Sequence, residues 1–315
     1  MNNILITGAD GFIGKTIIER LVAQHNGNVR AAVRQPSQAL SEIVEVCEGM
    51  DLAKNPDWAP ALQNIDTVIH CAARVHVMHD RSTDPLSDFR KANTEGTLSL
   101  ARQARAAGVK RFIFLSSLGV HGESTSGIPF KADDTPRPHS PYTQSKLEAE
   151  KGLTELTRDG QMSLVTIRPP LVYGPNAPGN FGMLMRAVKL RLPLPFGSVE
   201  NKRSFVFLEN LVDMIICCID HPNAANQTFL VSDDEDLSTT QLLKKIGATL
   251  GKPSLLLPIP TVILHAAAKC FGKEKVAQQL LGSLQVDIEK TKTLLNWKPP
   301  VGVDDALRKT AGMQK

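Results

Sequence analysis

The stretch LITGADGFIG, Leu5 to Gly14, decides the fold. A short apolar run leads straight into three glycines, Gly8, Gly11 and Gly14. After them Ile13, Ile17, Ile18, Leu21 and Val22 recur at helical spacing. This is a strand, a tight turn and a helix. Gly8 permits a bend that other residues resist, and Gly11 leaves the backbone open where phosphates approach. Gly14 lets the helix pack closely on the strand. The free N–H groups and positive dipole end of such a helix suit a pyrophosphate. The spacing G-x-x-G-x-x-G differs from the commoner G-x-G-x-x-G, but its place between a first strand and a first helix predicts a dinucleotide site.

Working outward, strand-length apolar runs alternate with helical patterns. NVRAAVR, IDTVIHCAA, RFIFLSS and SLVTIRP read as strands, and Asn93–Ala107 and Tyr142–Leu156 read as helices. The alternation predicts an α/β fold, a doubly wound parallel (Rossmann) sheet. From Leu171 onward prolines become frequent. RSFVFLENLVDMI and NQTFLVSDD add strands, a helix starts at Ser238, and VDIEKTKTLLNW closes the chain. The expected division is a dinucleotide-binding domain over 1–170 that also receives about 203–232. A smaller C-terminal substrate-binding part takes 171–202 and 233–315.

Composition excludes several classes. The 315 residues are 42% apolar and 22% charged, with a net charge of +4. Basic residues are scattered, so no nucleic-acid partner is expected. The five cysteines form no C-x-x-C pair and read as free thiols of a reducing cytoplasm. The chain opens directly into a strand, without the basic and long apolar segments of a signal peptide, so a cytoplasmic location is expected. Leu255–Phe271 is the most membrane-like segment. Pro258 and Pro260 break it below spanning length, so no membrane insertion is expected, and it reads as an amphipathic helix over a cleft. His70, His76 and His79 have no carboxylate at metal-site spacing, so no metal is expected.

Two further places carry chemistry. The second strand ends AAVRQPS, with Arg34 where an Asp or Glu would hydrogen-bond the adenosine ribose of NAD. A guanidinium there pairs with a 2′-phosphate, so NADP is the expected cofactor and NAD the alternative. PYTQSK places Tyr142 and Lys146 on one helix face, and Ser117 ends the strand RFIFLSS. An ammonium one turn from a phenol is expected to bring it toward the working pH range. Ser140, ahead of the helix, reads as its N-cap.

TGADGFIG, GMDL, VIHCAA, RKANTEGT, FLSSLGVHGE, PYTQSK, IRPPLVYGP and RSFVFLENLVD together resemble the extended short-chain dehydrogenase/reductases of the NAD-dependent epimerase/dehydratase family. The resemblance implies an NAD(P)-dependent enzyme with Ser117, Tyr142 and Lys146 as catalytic residues. It implies cofactor contacts at Phe12 and Ile13 beside the glycines, at Asp51 and Leu52 near the adenine, and at Ala72 and Ala73 in the groove. Pro169 and Val172 would lie near the nicotinamide, and Asn93 would support the lysine through water. The family often has a second hydroxyl two positions after the serine, where this chain has Gly119.

CAARVHVMHD, RPPLVYGP and PLPFGSVENKRS most resemble bacterial UDP-N-acetylhexosamine 4-ketoreductases of O-antigen sugar synthesis, often labelled UDP-glucose 4-epimerases. That implies a UDP-sugar substrate contacted by Ser117, Asn180 and Arg203, and the homodimer common in the family. A UDP-hexose 4-epimerase with tightly bound NAD is the alternative. Behind it stand a reductase of a non-sugar ketone and a non-catalytic dinucleotide sensor.

Overall fold

The computed structural model describes residues 2–24, 27–75 and 84–312. Seven strands form one sheet: β1 (Ile4–Thr7), β2 (Val29–Ala32), β3 (Glu45–Cys47), β4 (Thr67–His70), β5 (Arg111–Leu115), β6 (Ser163–Arg168) and β9 (Gln227–Leu230). Their order is β3-β2-β1-β4-β5-β6-β9 and every pairing is parallel. The chain winds outward from β1 in one direction and then restarts at β4 in the other. A crevice therefore opens at the carboxyl ends of β1 and β4.

Side chains alternate across each strand, so both faces of the sheet are covered. Ile4 and Ile6 point into one core, with Ile17, Ile18 and Leu21 of the helix Phe12–Gln24 and Leu211, Met214 and Ile215 of Leu208–Asp220. Leu5 points the other way, into a core with Val68, Phe112, Leu100 of Gly96–Ala106 and Leu153 of Pro141–Leu156. β7 (Leu171–Tyr173) and β8 (Phe205–Phe207) pair in parallel outside the main sheet. They belong to a third core with Phe181, Leu243, Ile246 and Leu307.

The sequence pattern missed β3. It is a three-residue edge strand with no fully buried side chain, so it has no periodicity to read. The helix expected at Asn93 is preceded by a π-helical stretch, Arg90–Glu95, and becomes α-helical at Gly96. A Cβ on Gly96 would stand 2.6 Å from the Leu52 carbonyl oxygen, which accounts for a glycine inside a helical run.

Candidate active site

The glycine turn lies at the crevice. Gly8 has φ +65°, and a Cβ there would meet the Ala72 nitrogen at 2.8 Å, so the β1 and β4 ends could not approach. A Cβ on Gly14 would stand 2.2 Å from the Gly8 carbonyl oxygen. Gly11 is exposed, and its N–H donates to the Gly8 oxygen at 3.0 Å. The first N–H bonded into the following helix is that of Lys15, to Gly11. Among the described residues the N–H groups of Phe12, Ile13 and Gly14 have no acceptor, and the helix carries no acid in its first turn. An open glycine before unbonded donors fits a dinucleotide pyrophosphate.

Around this turn lie the other residues expected to hold a dinucleotide. Arg34 follows β2, exposed and without a recorded hydrogen bond or ion pair. Asp51 caps the short helix Leu52–Lys54, its Oδ1 accepting from the Ala53 N–H at 3.1 Å. Ala72 and Ala73 follow β4, and the Ala72 N–H donates to Thr7 Oγ1. The Pro169 carbonyl accepts from the Leu118 N–H at 2.9 Å, and Val172 lies half-buried in β7. Asn93 is fully buried. Its amide donates to the Arg74 carbonyl at 3.0 Å and Ser145 Oγ at 3.1 Å, and its oxygen accepts from the Arg74 N–H at 2.7 Å. It thus ties the loop after β4 to the helix that carries Lys146.

Ser140 and Thr143 form a capping box at the start of Pro141–Leu156, with Pro141 in the first turn. This fixes where Tyr142 enters the crevice. Tyr142 is hydrogen-bonded to Ser117, and its ring meets Phe89 edge-on with 6.0 Å between centroids. Ser117 Oγ also accepts from the Gly119 N–H at 3.1 Å. A Cβ on Gly119 would stand 2.6 Å from Thr143 Cγ2. The glycine that replaces the family's second hydroxyl is therefore required by the close approach of this helix.

Lys146 is buried, with Nζ 4.0 Å from the centroid of Phe114. Burial pushes its pKa down to about 7, against Glu150 and Cys71, which raise it. Burial also pushes Tyr142 up to about 12, opposed by the Ser117 hydrogen bond. The sequence suggested the opposite direction for the phenol. Spacing shows the nearby ammonium but not the desolvation, and here desolvation dominates.

One buried cluster escaped the sequence reading. Arg168 holds Glu150 bidentately, Nε to Oε1 at 3.0 Å and Nη2 to Oε2 at 2.5 Å, and its Nη1 is 2.8 Å from His121 Nε2. Ser116 Oγ donates to Glu150. The bonded partners lie up to 47 positions apart. The available signal was Glu150, four residues after Lys146 on the same helix face.

His70 is buried between Thr7 Oγ1 at 2.6 Å and Thr97 Oγ1 at 2.8 Å, and so is structural. His76 and His79 lie outside the described residues. Burial pushes His70 down to about 3 and His121 to about 4. Both lie below the unfolded value of about 6.5, so the unfolded chain binds more protons as pH falls. Stability from these groups is complete above pH 6.5 and is lost on acidification. His70 alone should cost about 1.4 kcal/mol per pH unit below that point. Urea midpoints between pH 7.5 and 5 should fall, and fall less in His70→Gln. A flat wild-type profile would contradict the assignment.

Arg203 is mostly buried, and desolvation lowers its pKa to about 10. Its Nη1 donates to the Gly282 carbonyl at 2.9 Å, and among the described residues no carboxylate pairs with it. Its strand neighbours carry it to the loop after Ser117, because the Thr125 and Phe130 N–H groups bond the carbonyls of Ser283 and Gln285. Asn180 opens the helix Asn180–Lys189. A cavity of 530 Å³ lies between the start of Pro141–Leu156, at His139 and Ser140, and the segment with His265 and Lys269. A cavity of 580 Å³ at the opposite, amino ends of the strands, lined by Asp66 and Lys110, is remote from this chemistry.

A switch-point glycine turn joined to a Ser–Tyr–Lys cluster is the arrangement of an extended short-chain dehydrogenase/reductase. Residues 4–232 match the NAD dependent epimerase/dehydratase family, and the chain belongs to that family of enzymes. It is 45% identical over 311 residues to a UDP-glucose 4-epimerase of Vibrio cholerae, covering 98% of this chain and 94% of that one. It is 28% identical to N-acetyl-alpha-D-glucosaminyl-diphospho-ditrans,octacis-undecaprenol 4-epimerase of Escherichia coli O157:H7, over 86% of this chain and 79% of the other. Among solved structures, the UDP-glucose 4-epimerase of Thermotoga maritima with UDP-glucose superposes with a TM-score of 0.79 at 23% identity. That match covers 99% of this chain and 98% of the other and shares the fold. Among the described residues no group of His, Cys, Asp and Glu is placed to hold a metal, and no helix is long and apolar enough to cross a membrane.

Proposed function

We propose that the protein reduces the C4 ketone of a UDP-4-keto-6-deoxy-N-acetylhexosamine with NADPH. The observation that carries this reading is the partly buried, desolvated phenol of Tyr142 beside Ser117. With its pKa pushed up to about 12, it keeps its proton at neutral pH and yields it only to a strong base. The alkoxide that forms when hydride reaches a sugar ketone is such a base.

The bound dinucleotide supplies the hydride. Ser117 donates a hydrogen bond to the ketone oxygen and polarises it. Tyr142 then transfers its proton to that oxygen as charge develops. Lys146, close to half-protonated near neutrality, holds the cofactor ribose and recharges the phenol. Phe12, Ile13 and Gly14 bind the pyrophosphate through their N–H groups, with Gly8 and Gly11 keeping its path clear. Asp51, Leu52, Ala72 and Ala73 would line the adenine and ribose groove and Pro169 and Val172 the nicotinamide, while Asn93 would support Lys146 through water from its place between the loop after β4 and the lysine's helix.

The half-buried guanidinium of Arg203 supports a diphosphate ligand, because among the described residues it bonds a carbonyl but no carboxylate, and a partly desolvated cation is satisfied by an anion. With Asn180 it would hold the UDP moiety. Such remote binding is shared by ground and transition states. Arg203→Ala should therefore raise KM for the UDP-sugar at least tenfold and change kcat little. An unchanged KM would make Arg203 a structural residue.

A second reading, a UDP-hexose 4-epimerase that retains NAD, is favoured by the Vibrio cholerae relative. Cofactor choice separates the two, since a reductase exchanges its cofactor at every turnover. Arg34 offers an exposed, unpartnered charge to a 2′-phosphate. A charge-assisted bond is worth about 1.5–3 kcal/mol, and exposure places it at the lower end. kcat/KM should favour NADPH over NADH by about tenfold, and Arg34→Ala should remove the preference. Equal values in the wild type would favour the epimerase.

A further inference from the structure

The segment expected to lie over a cleft does so with one side only. His265 and Lys269 of the helix Thr261–Cys270 line the 530 Å³ cavity, and Leu264 and Ala268 pack on Val199, Ala277 and Leu281. No residue of the helix is fully buried. Val262 and Ile263 at its start and Phe271 just after its end are exposed. Val262 is 77% and Phe271 79% exposed. Leu255 and Leu257 are exposed just before it. Between them the chain bonds to Leu194 through the Leu255 carbonyl and the Leu257 N–H, both at 2.8 Å, which brings the exposed Leu190 and Leu192 alongside. Among the described residues, nine of the fourteen exposed large apolar side chains fall within 183–192 and 255–276. Scattered apolar exposure is ordinary, but this concentration on two paired segments marks an interaction surface.

Charge selects its occupant. Arg186, Lys189, Arg191, Lys269, Lys273 and Lys275 are exposed on the same two segments, and Lys252 is exposed three residues before the second, with Glu274 the single carboxylate among them. Among the described residues none of these seven cations forms an ion pair. A two-fold-related copy of the chain would set this positive surface against itself. Lysine is depleted in protein–protein interfaces, and five of the seven cations are lysines. Exposed aliphatic and phenyl groups inside a lysine-rich rim match a helix lying in the headgroup layer of an anionic bilayer, about 5–10 Å deep. Each basic residue there is attracted to acidic lipid.

We infer that the face formed by Thr261–Phe271, Leu255–Leu257 and Lys189–Leu192 docks the protein onto an anionic membrane surface. The contact lies on the bilayer without crossing it. It sets the cavity lined by His265 and Lys269 at the lipid surface, where a substrate or product carried by a membrane-bound partner reaction is within reach. This inference does not depend on which reaction the site performs.

The test is co-sedimentation of the full chain with vesicles of phosphatidylcholine and phosphatidylglycerol in equal parts, or of phosphatidylcholine alone. The wild type should bind the anionic vesicles at least tenfold more tightly than the neutral ones, and lose binding as salt is raised. The pair Val262→Asp with Phe271→Asp, and the pair Lys252→Glu with Lys273→Glu, should each weaken binding at least tenfold. These side chains are exposed, so both variants should melt with the wild type. Equal binding by wild type and variants would overturn the inference. So would wild-type protein left in the supernatant with both vesicles. In that case a fall in solution mass on Phe271→Asp would identify the face as an interface between copies, and an unchanged mass would leave it to an acidic protein.

Discussion

Tyr142→Phe is expected to lower kcat about 10²–10⁴-fold, the usual worth of a positioned general acid. The loss comes from the proton and not from the ring, because the phenyl group keeps its edge contact with Phe89. Dinucleotide affinity should be nearly unchanged, since the glycine turn and Lys146 remain. The Ser117 hydroxyl loses its partner, but its bond to the Gly119 N–H keeps it oriented. Rapid-mixing turnover and equilibrium cofactor titration check the two halves separately. Near wild-type turnover would end the assignment of Tyr142 as the acid, and lost cofactor binding would make its role positional.

Arg168→Met is expected to have the largest effect on stability. The guanidinium and Glu150 are both almost fully buried, with side-chain exposures of 8% and 7%. Removing one partner of a buried pair leaves the other charge uncompensated, at a cost of about 3–5 kcal/mol. His121 and the Ala132 carbonyl lose a donor as well. The double variant Glu150→Gln with Arg168→Met should recover much of the loss, because it buries no charge. Urea denaturation of the single and double variants measures this. A single variant within about 1 kcal/mol of the wild type would contradict it. Glu150 also raises the Lys146 pKa. The double variant should therefore move the alkaline limb of the pH–rate profile, where Lys146 loses the proton it supplies to the phenol, to lower pH even where stability is regained.

What the sequence made legible was local. The Gly8–Gly14 turn, Tyr142 four residues before Lys146, and the Ser140 cap are written within single turns, where spacing determines geometry. The parallel, doubly wound sheet followed from alternation of strand and helix, apart from β3, too short and exposed to show a period. The rest depended on burial and on distance along the chain. The Glu150–Arg168–His121 cluster joins a helix, a strand and a loop, and nothing in any one segment announces it. The upward displacement of the Tyr142 pKa comes from packing that spacing does not reveal. The outer side of Thr261–Cys270 read as part of a cleft cover because its apolar pattern does not say which side is covered.

The central claim is that hydride passes to C4 of a UDP-keto sugar from a cofactor that leaves afterwards. The direct measurement is incubation of pure protein with a UDP-4-keto-6-deoxy-N-acetylhexosamine and NADPH, following the near-ultraviolet absorbance of the reduced nicotinamide. The account predicts loss of that absorbance in proportion to sugar consumed, one NADPH for each C4 hydroxyl formed. Unchanged absorbance, together with interconversion of UDP-hexose C4 epimers without added cofactor, would contradict it and establish the epimerase.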